Sequence, residues 1–216
     1  MRVAWTPSLG ERMLIRLGHW ITLKTIGSVS DAVVYESVRT LGVAGWFRYM
    51  MTTAKVVGKL QREFGEAEAQ FIISLSSLLI GCGYCTYGHA LAGSLLWFRD
   101  KGAVHPLDPN AMSELIDLSD AEIIQRVEAL LDDTQHETLR RLARRIYRLF
   151  LEQERDWNPQ DELLEDCMWI WRWTTESTIV EGISIKPEDA QPLHPIAHDP
   201  TIRARYRAAL VGRSTV

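Results

Sequence analysis

A long stretch without charge constrains the fold of this chain more than any other feature of its sequence. From Phe71 to Phe98 there is no Asp, Glu, Lys or Arg, and a stretch of this length could span a membrane. Glycines and serines interrupt it, and Gly81 and Gly83 divide it into two shorter apolar segments. Two such segments joined at glycine are typical of a buried helical hairpin. We therefore expect this stretch to form a protein core and not to enter a membrane.

The hydrophobic pattern of the whole chain is helical. Apolar residues recur at intervals of three and four, and the alternating Val, Ile and Thr pattern of strands is scarce. The chain is therefore predicted to be all-α, with a single domain over residues 1–216, a core at about 45–100 and a helical C-terminal extension at about 110–216. The predicted helices cover residues 9–25, 30–41, 45–62, 66–80, a helix that begins near Cys82, 119–131, 134 to about 153, and a short last helix around 201–210.

The composition limits the classes of partner. With 28 acidic residues against 24 Lys and Arg, the net charge of −4 provides no general attraction for nucleic acid or for an anionic membrane. Glu11, Arg12 and Arg16 stand where a signal peptide would have its apolar segment. Three cysteines do not form the disulfide framework of a secreted domain. These features predict a cytoplasmic protein.

Two segments of the C-terminal half have unusual compositions. The first is a helix with five arginines, which we expect to form a solvated face paired with acids such as Glu137 and Glu152, although it could also bind phosphates. Its arginines are Arg140, Arg141, Arg144, Arg145 and Arg148. The second contains Trp169, Trp171 and Trp173, which we expect to pack between two layers or at a subunit interface, with a ligand platform as the alternative.

The residues with the clearest potential for catalysis or metal binding lie in the run GCGYCTYGHA, which contains Cys82, Cys85 and His89. In a helix, these spacings place all three side chains on one face. Because Gly81 and Gly83 flank the first cysteine, a helix is expected to begin there, with Cys82 near its amino end. Unpaired backbone N–H groups at that end stabilise a thiolate, and His89, in its cationic form, would add to the effect.

Three interpretations of this motif remain open from the residues themselves. It could be a redox-active dithiol with its own base. The thiols could instead be ordinary core residues, because free cysteine packs as a small hydrophobe. A zinc site is the third interpretation, with Cys82, Cys85 and His89 as three ligands and Cys167 as a distant fourth candidate. His194 and His198 alone are a weak metal signal.

The run QFIISLSSLLIGCGYCTYGHA resembles the core of the alkylhydroperoxidase D and carboxymuconolactone decarboxylase superfamily. An apolar helix, a small residue before the first cysteine and the pattern Cys-x-x-Cys-x-x-x-His carry the resemblance, which covers roughly residues 45–98. It implies a helical bundle whose buried hairpin bears the redox motif, and a homo-oligomer. It also implies a thiol-dependent hydroperoxide reductase that needs no cofactor, in which Cys85 attacks the peroxide, Cys82 resolves the product into a disulfide and His89 relays protons. An external thiol or disulfide reductant would reopen the disulfide.

Gln70 stands where the superfamily has its proton-relay glutamate. Glutamine can orient His89 by a hydrogen bond but cannot accept its proton. Glu66 lies one turn earlier on the same helix face and is a candidate substitute, and Tyr84 could hydrogen-bond within the motif. The expected activity is therefore peroxide reduction or related dithiol/disulfide exchange, and the alternative is a catalytically silent scaffold that keeps the fold. The oxidant and the reductant are left open by the sequence.

Overall fold

The computed structural model describes residues 8–152, 158–177 and 185–213, and all regular structure within them is helical. The predicted all-α class is confirmed. Short 3-10 helices occur at Thr134–His136, Pro187–Asp189 and Pro195–His198. The α-helices are α1 (Leu9–Ile26), α2 (Asp31–Phe64), α3 (Glu66–Ile80), α4 (Gly83–Lys101), α5 (Pro109–Ser113), α6 (Asp120–Leu130), α7 (Glu137–Phe150), α8 (Pro159–Ser177) and α9 (Pro200–Arg213).

The charge-free stretch forms a hairpin of α3 and α4. Gly81 ends α3 with a left-handed φ of +85°, which residues with a Cβ rarely adopt. Further along the hairpin, a Cβ added at Gly93 would lie 3.0 Å from the Phe71 ring, so the two helices approach closely there. Most residues of both helices are buried, which agrees with the expected buried hairpin. None of the described helices combines the length and the hydrophobicity that a membrane span requires.

Several of the other helices pack around this hairpin. Helices α2, α7 and α8 pack against α3, while α5, α9 and the 3-10 helix Pro195–His198 pack against α4. Helix α2 has a non-helical φ of +67° at Gly42, so the two helices predicted at 30–41 and 45–62 are the two segments of one kinked helix. Helix α7 ends at Phe150, whereas its predicted end near residue 153 lies outside the described residues.

The two C-terminal segments of unusual composition lie in α7 and α8, where salt bridges hold arginines of the first segment and packing against other rings holds tryptophans of the second. Arg140 binds Glu137 and Asp132, Arg144 binds Glu128, and Arg145 binds the buried Asp161 of α8. These pairs agree with the expected face of arginines matched by acids. In the tryptophan segment, Trp171 is buried between helices as expected, whereas Trp169 is 63% exposed and stacks on Trp173 at 6.3 Å between ring centroids.

Candidate functional site

The two motif cysteines meet at the amino end of α4. Cys82 is the N-cap residue, and its Sγ accepts a hydrogen bond from the backbone N–H of Cys85 at 3.4 Å. The two Sγ atoms lie 2.6 Å apart, and both thiols are free. A disulfide has an S–S length of about 2.05 Å, so a displacement of well under an ångström would join them. Because Cys82 is partly exposed and Cys85 is buried, a reactant from solvent reaches Cys82 more easily.

Electrostatics make the two thiols unequal. A hydrogen bond from the Cys85 side chain is the main factor that lowers the pKa of Cys82 to about 7, against the opposing effect of burial. The Cys85 N–H and the Thr175 hydroxyl stabilise the same thiolate. The pKa of Cys85 is raised well above its usual value, first by this hydrogen bond and then by burial. The thiolate form is thus favoured at Cys82, whose sulfur accepts a hydrogen bond from the neutral Cys85 thiol. The position of Cys82 at the helix N-terminus also favours a negative charge there.

His89 is buried and neutral. Its Nδ1 lies 2.7 Å from Oε1 of Gln70, so the amide oxygen accepts the Nδ1–H and the lone pair is on Nε2. Burial is the main factor that lowers the pKa of His89 to about 3, with His194 as a second factor. His89 therefore adds no positive charge to the stabilisation of the thiolate, because an uncharged amide in a buried site cannot compensate an imidazolium. The expected orienting role of Gln70 agrees with this contact.

Side chains from α2 and α8 complete the wall around the pair. Trp171 packs edge-on against His89 with 5.4 Å between ring centroids, and the Thr175 hydroxyl, which donates to the Trp171 carbonyl at 2.9 Å, contributes to the lowered pKa of Cys82. The Tyr49 hydroxyl shares a hydrogen bond with Thr174, and burial raises the pKa of Tyr49 to about 12. Sequence reasoning missed these residues as parts of the site. One of them, Trp171, belongs to the tryptophan cluster that the sequence made visible. The others gave no signal, because contacts between helices distant in sequence produce no spacing pattern.

The segment before α9 covers the other side of the motif. The backbone N–H of Leu193 donates to the carbonyl of Gly88 at 3.1 Å, and the Leu193 side chain packs where a Cβ of Gly88 would be. His194 follows, and its Nδ1 accepts the backbone N–H of Ile196 at 3.1 Å. The C-terminal segment is therefore part of the enclosure that keeps His89 out of water.

The two candidate relay residues have other partners. Glu66 is half exposed at the start of α3, and its carboxylate pairs with Arg99 at 3.0 Å. The Tyr84 hydroxyl accepts the backbone N–H of Ser30 at 3.1 Å, and burial is the main factor that raises its pKa. The structure thus brings together Cys82, Cys85, His89 and Gln70, and it gives Glu66 and Tyr84 contacts outside that group.

Cys167 is separate from the motif. It is fully buried, its Sγ lies 4.0 Å from the Ser76 hydroxyl, and burial raises its pKa to about 12. Among the described residues, no group of three or more His, Cys, Asp or Glu side chains is arranged to hold a metal ion. Cys167, the fourth candidate ligand of the zinc interpretation, contacts Ser76 of α3.

Comparisons of the chain with protein-family models, with curated proteins and with solved structures found no match. The fold and the site themselves define an all-α protein with two adjacent thiols at a helix N-terminus and a neutral histidine held by an amide. Such an arrangement can transfer two electrons by forming a disulfide, and its partly exposed thiolate can attack a peroxide oxygen or a disulfide sulfur.

Proposed function

We propose that this protein is a dithiol oxidoreductase of the alkylhydroperoxidase D type, which reduces a hydroperoxide at Cys82 and Cys85. The observation that carries the proposal is the thiol pair itself, with 2.6 Å between the sulfur atoms and a lowered pKa at the helix N-cap. Cys167, by contrast, has no neighbouring thiol partner among its described contacts, and burial raises its pKa to about 12, as is typical of an inert core cysteine. The hairpin that bears the motif, enclosed by further helices, also supports a bundle of the kind found in that superfamily.

The reaction takes two electrons from the thiol pair. One thiolate attacks a peroxide oxygen, the O–O bond breaks, and the alkoxide leaves as an alcohol after taking a proton. The resulting sulfenic acid is attacked by the second sulfur, an S–S bond forms, and the hydroxyl leaves as water. The net change converts hydroperoxide and dithiol into alcohol, water and disulfide. An external dithiol then reduces the disulfide by exchange and is itself oxidised.

The two sulfur atoms are suited to different steps. The superfamily resemblance assigns the attack to Cys85, which must first lose a proton, and it assigns the proton relay to His89. With a pKa of about 3, His89 is a weak base for that transfer. Cys82 needs no such step, because its thiolate is substantially populated near pH 7. The electrostatics therefore favour Cys82 as the first nucleophile and Cys85 as the resolving thiol.

Anaerobic thiol titration tests the function. One equivalent of cumene hydroperoxide should remove two thiols from the wild-type protein and leave Cys167, because that thiol is buried and protonated. Cys167→Ser is the matched control and should lose two thiols as well. If the wild-type protein keeps all its thiols, it is not a hydroperoxide reductase.

Trapping of the sulfenic acid with dimedone distinguishes the two assignments. In Cys85→Ser, attack by Cys82 predicts a stable adduct on Cys82, whereas attack by Cys85 predicts no reaction. In Cys82→Ser, attack by Cys85 predicts an adduct on Cys85. Mass spectrometry of the modified peptides identifies the sulfur in each variant.

A catalytically silent scaffold is the second candidate. The neutral pair of Gln70 and His89 favours it, because a proton relay needs a group that exchanges protons near the working pH. This role predicts that the thiol pair reacts neither with hydroperoxides nor with disulfides. It also predicts that Cys82→Ala with Cys85→Ala leaves partner binding unchanged.

Self-association is the third element of the proposal. Helix α1 exposes large apolar side chains along one side, which is typical of a surface that a partner covers. Since the resemblance implies a homo-oligomer, we propose a second copy of this chain as that partner. The exposed side chains are Leu9, Met13, Leu14, Leu17, Trp20 and Ile21.

A further inference from the structure

The segment before α9 crosses the surface of α4 as a strap. We call residues 185–198 the C-terminal strap. Near its start, the 3-10 helix Pro187–Asp189 packs against α5, and at its end the 3-10 helix Pro195–His198 packs against α1 and α4. Between these two helices, the side chain of Leu193 lies on α4 at Gly88. The strap is therefore held at both ends, and its middle rests on the second turn of α4.

The glycine at position 88 makes room for the strap. A Cβ at Gly88 would lie 2.6 Å from Cγ of Leu193 and 3.0 Å from the carbonyl oxygen of Gln191, and real Cβ atoms essentially never have contacts below 3.0 Å. Gly88 lies within α4 and has no positive φ, so its backbone conformation does not require glycine. Glycine also lowers the stability of a helix interior relative to alanine. The strap that fills the notch at Gly88 therefore explains the glycine.

His89, the residue after Gly88, is surrounded by α3, α8 and the strap. Gln70 of α3 bonds to its Nδ1, and Trp171 of α8 packs edge-on against its ring. His194 is the titratable group of the strap that acts on His89, and burial lowers the pKa of His194 as well, so it is neutral near pH 7. On α4 itself, the thiol pair lies one and two turns earlier. Because burial is the largest cause of the low pKa of His89, the exclusion of water sets its protonation.

Of these three walls, the strap is the one that can open. Helices α3 and α8 contribute to the hydrophobic core, and most residues of α3 are buried. Residues 190–194 of the strap are not helical, and Gln191 is exposed to solvent. They touch α4 through the side chain of Leu193 and through the hydrogen bond from its N–H to the Gly88 carbonyl. Exposed segments outside helices open at a lower free energy than core helices, so displacement of Leu193 is the easiest way for water to reach His89.

We infer that the C-terminal strap is a movable cover over His89, and that Leu193 in the Gly88 notch is the positioning residue that decides whether His89 takes part in proton transfer. With Leu193 seated, water is excluded and His89 is a weak base. When Leu193 leaves the notch, water solvates the imidazolium, and Nε2 can accept the Cys85 proton as that sulfur attacks the sulfenic acid of Cys82. The proton then passes to the departing hydroxyl group, which leaves as water. The catalytic part of this inference rests on the proposed function, whereas the effect of the strap on the protonation of His89 does not.

NMR titration of the His89 ring in a Gly88→Ala variant tests the cover without any peroxide. Because the new methyl group displaces the strap, hydrogen exchange of the Leu193 N–H should become at least about tenfold faster. The pKa of His89 should rise from about 3 to about 5 or higher, towards the ordinary value of about 6.5. Gly10→Ala is the matched control, since it adds the same methyl group to another helix, where nothing lies within 4 Å. It should leave both measurements unchanged.

A second pair of variants changes the strap and leaves the sequence of α4 intact. Leu193→Ala empties the notch and should raise the pKa of His89 in the same direction as Gly88→Ala. Leu193→Met conserves the side-chain volume and should keep that pKa near 3. A pKa of His89 that stays near 3 in both Gly88→Ala and Leu193→Ala would overturn the inference.

The rate of disulfide formation connects the cover to the thiol chemistry. After one equivalent of cumene hydroperoxide at about pH 7, the sulfenic acid should become a disulfide at least about threefold faster in Gly88→Ala than in the wild type. A raised pKa of His89 without faster disulfide formation would refute the control of proton transfer by the strap. If neither protein loses thiols, the proposed function fails together with the catalytic part of the inference, whereas a raised pKa of His89 in the two variants would still establish the cover.

Discussion

The replacement Gln70→Glu tests how the protein sets the protonation of His89. In the wild type, the amide oxygen lies 2.7 Å from Nδ1 and carries no charge. A carboxylate in its place would interact with an imidazolium by about 4 kcal/mol, for charge centres about 4 Å apart at an effective dielectric constant of 20. At about 1.4 kcal/mol per pKa unit, this is about three units. The pKa of His89 should therefore rise from about 3 to about 6.

NMR titration of the His89 ring resonances measures this shift directly. The matched control is Glu66→Gln one turn earlier, because Glu66 is paired with Arg99 and should not influence His89. If peroxide reduction uses His89, the Gln70→Glu variant should also lose thiols faster near pH 7 than the wild type does. An unchanged pKa of His89 in Gln70→Glu, or an equal shift in Glu66→Gln, would refute the reasoning.

The other predictions concern stability and assembly. The pKa of His89 is about 3 in the folded protein and about 6.5 in an unfolded chain, so the unfolded state binds more protons below pH 6.5. The free energy of unfolding should therefore decrease as the pH is lowered from 6.5 to 3, by up to about 1.4 kcal/mol per pH unit. His89→Asn should reduce that slope in urea titrations. Gly93→Ala should destabilise the hairpin by about 1–3 kcal/mol because the new Cβ meets an aromatic ring, whereas Gly58→Ala meets only a flexible arginine and should be neutral or stabilising. Met13→Glu with Trp20→Glu should convert the oligomer to a monomer by light scattering; a wild-type monomer would contradict the proposed self-association.

Much of the fold was predictable because it depends on local pattern. The boundaries of α3 and the N-cap position of Cys82 agree with the prediction, since glycines at the turn and acids in the first helical turn are local signals. Gly42 was not identified as a kink within one helix, because neighbouring segments with helical periodicity look alike whether they are continuous or separate.

The charge states in the candidate site were harder to predict. The pattern placed Cys82, Cys85 and His89 on one face, and the contact between His89 and Gln70 agrees with the orienting role expected for Gln70. It did not predict the lowered pKa of His89, because desolvation comes from Trp171 and the segment after residue 190, which are distant in sequence. Sequence spacing reports neighbours within a helix, whereas a pKa depends on every group that displaces water.

The sequence by itself determined that this chain is helical, that a charge-free hairpin lies in its core, and that two cysteines share a helix face with a histidine. Each of these is a consequence of periodicity and spacing within a few turns. Tertiary structure alone decided that the pKa of Cys85 is raised, that His89 is uncharged, and that His105 and His136 pack together in the interior. These properties depend on burial and on contacts between distant segments, which only the packed chain creates.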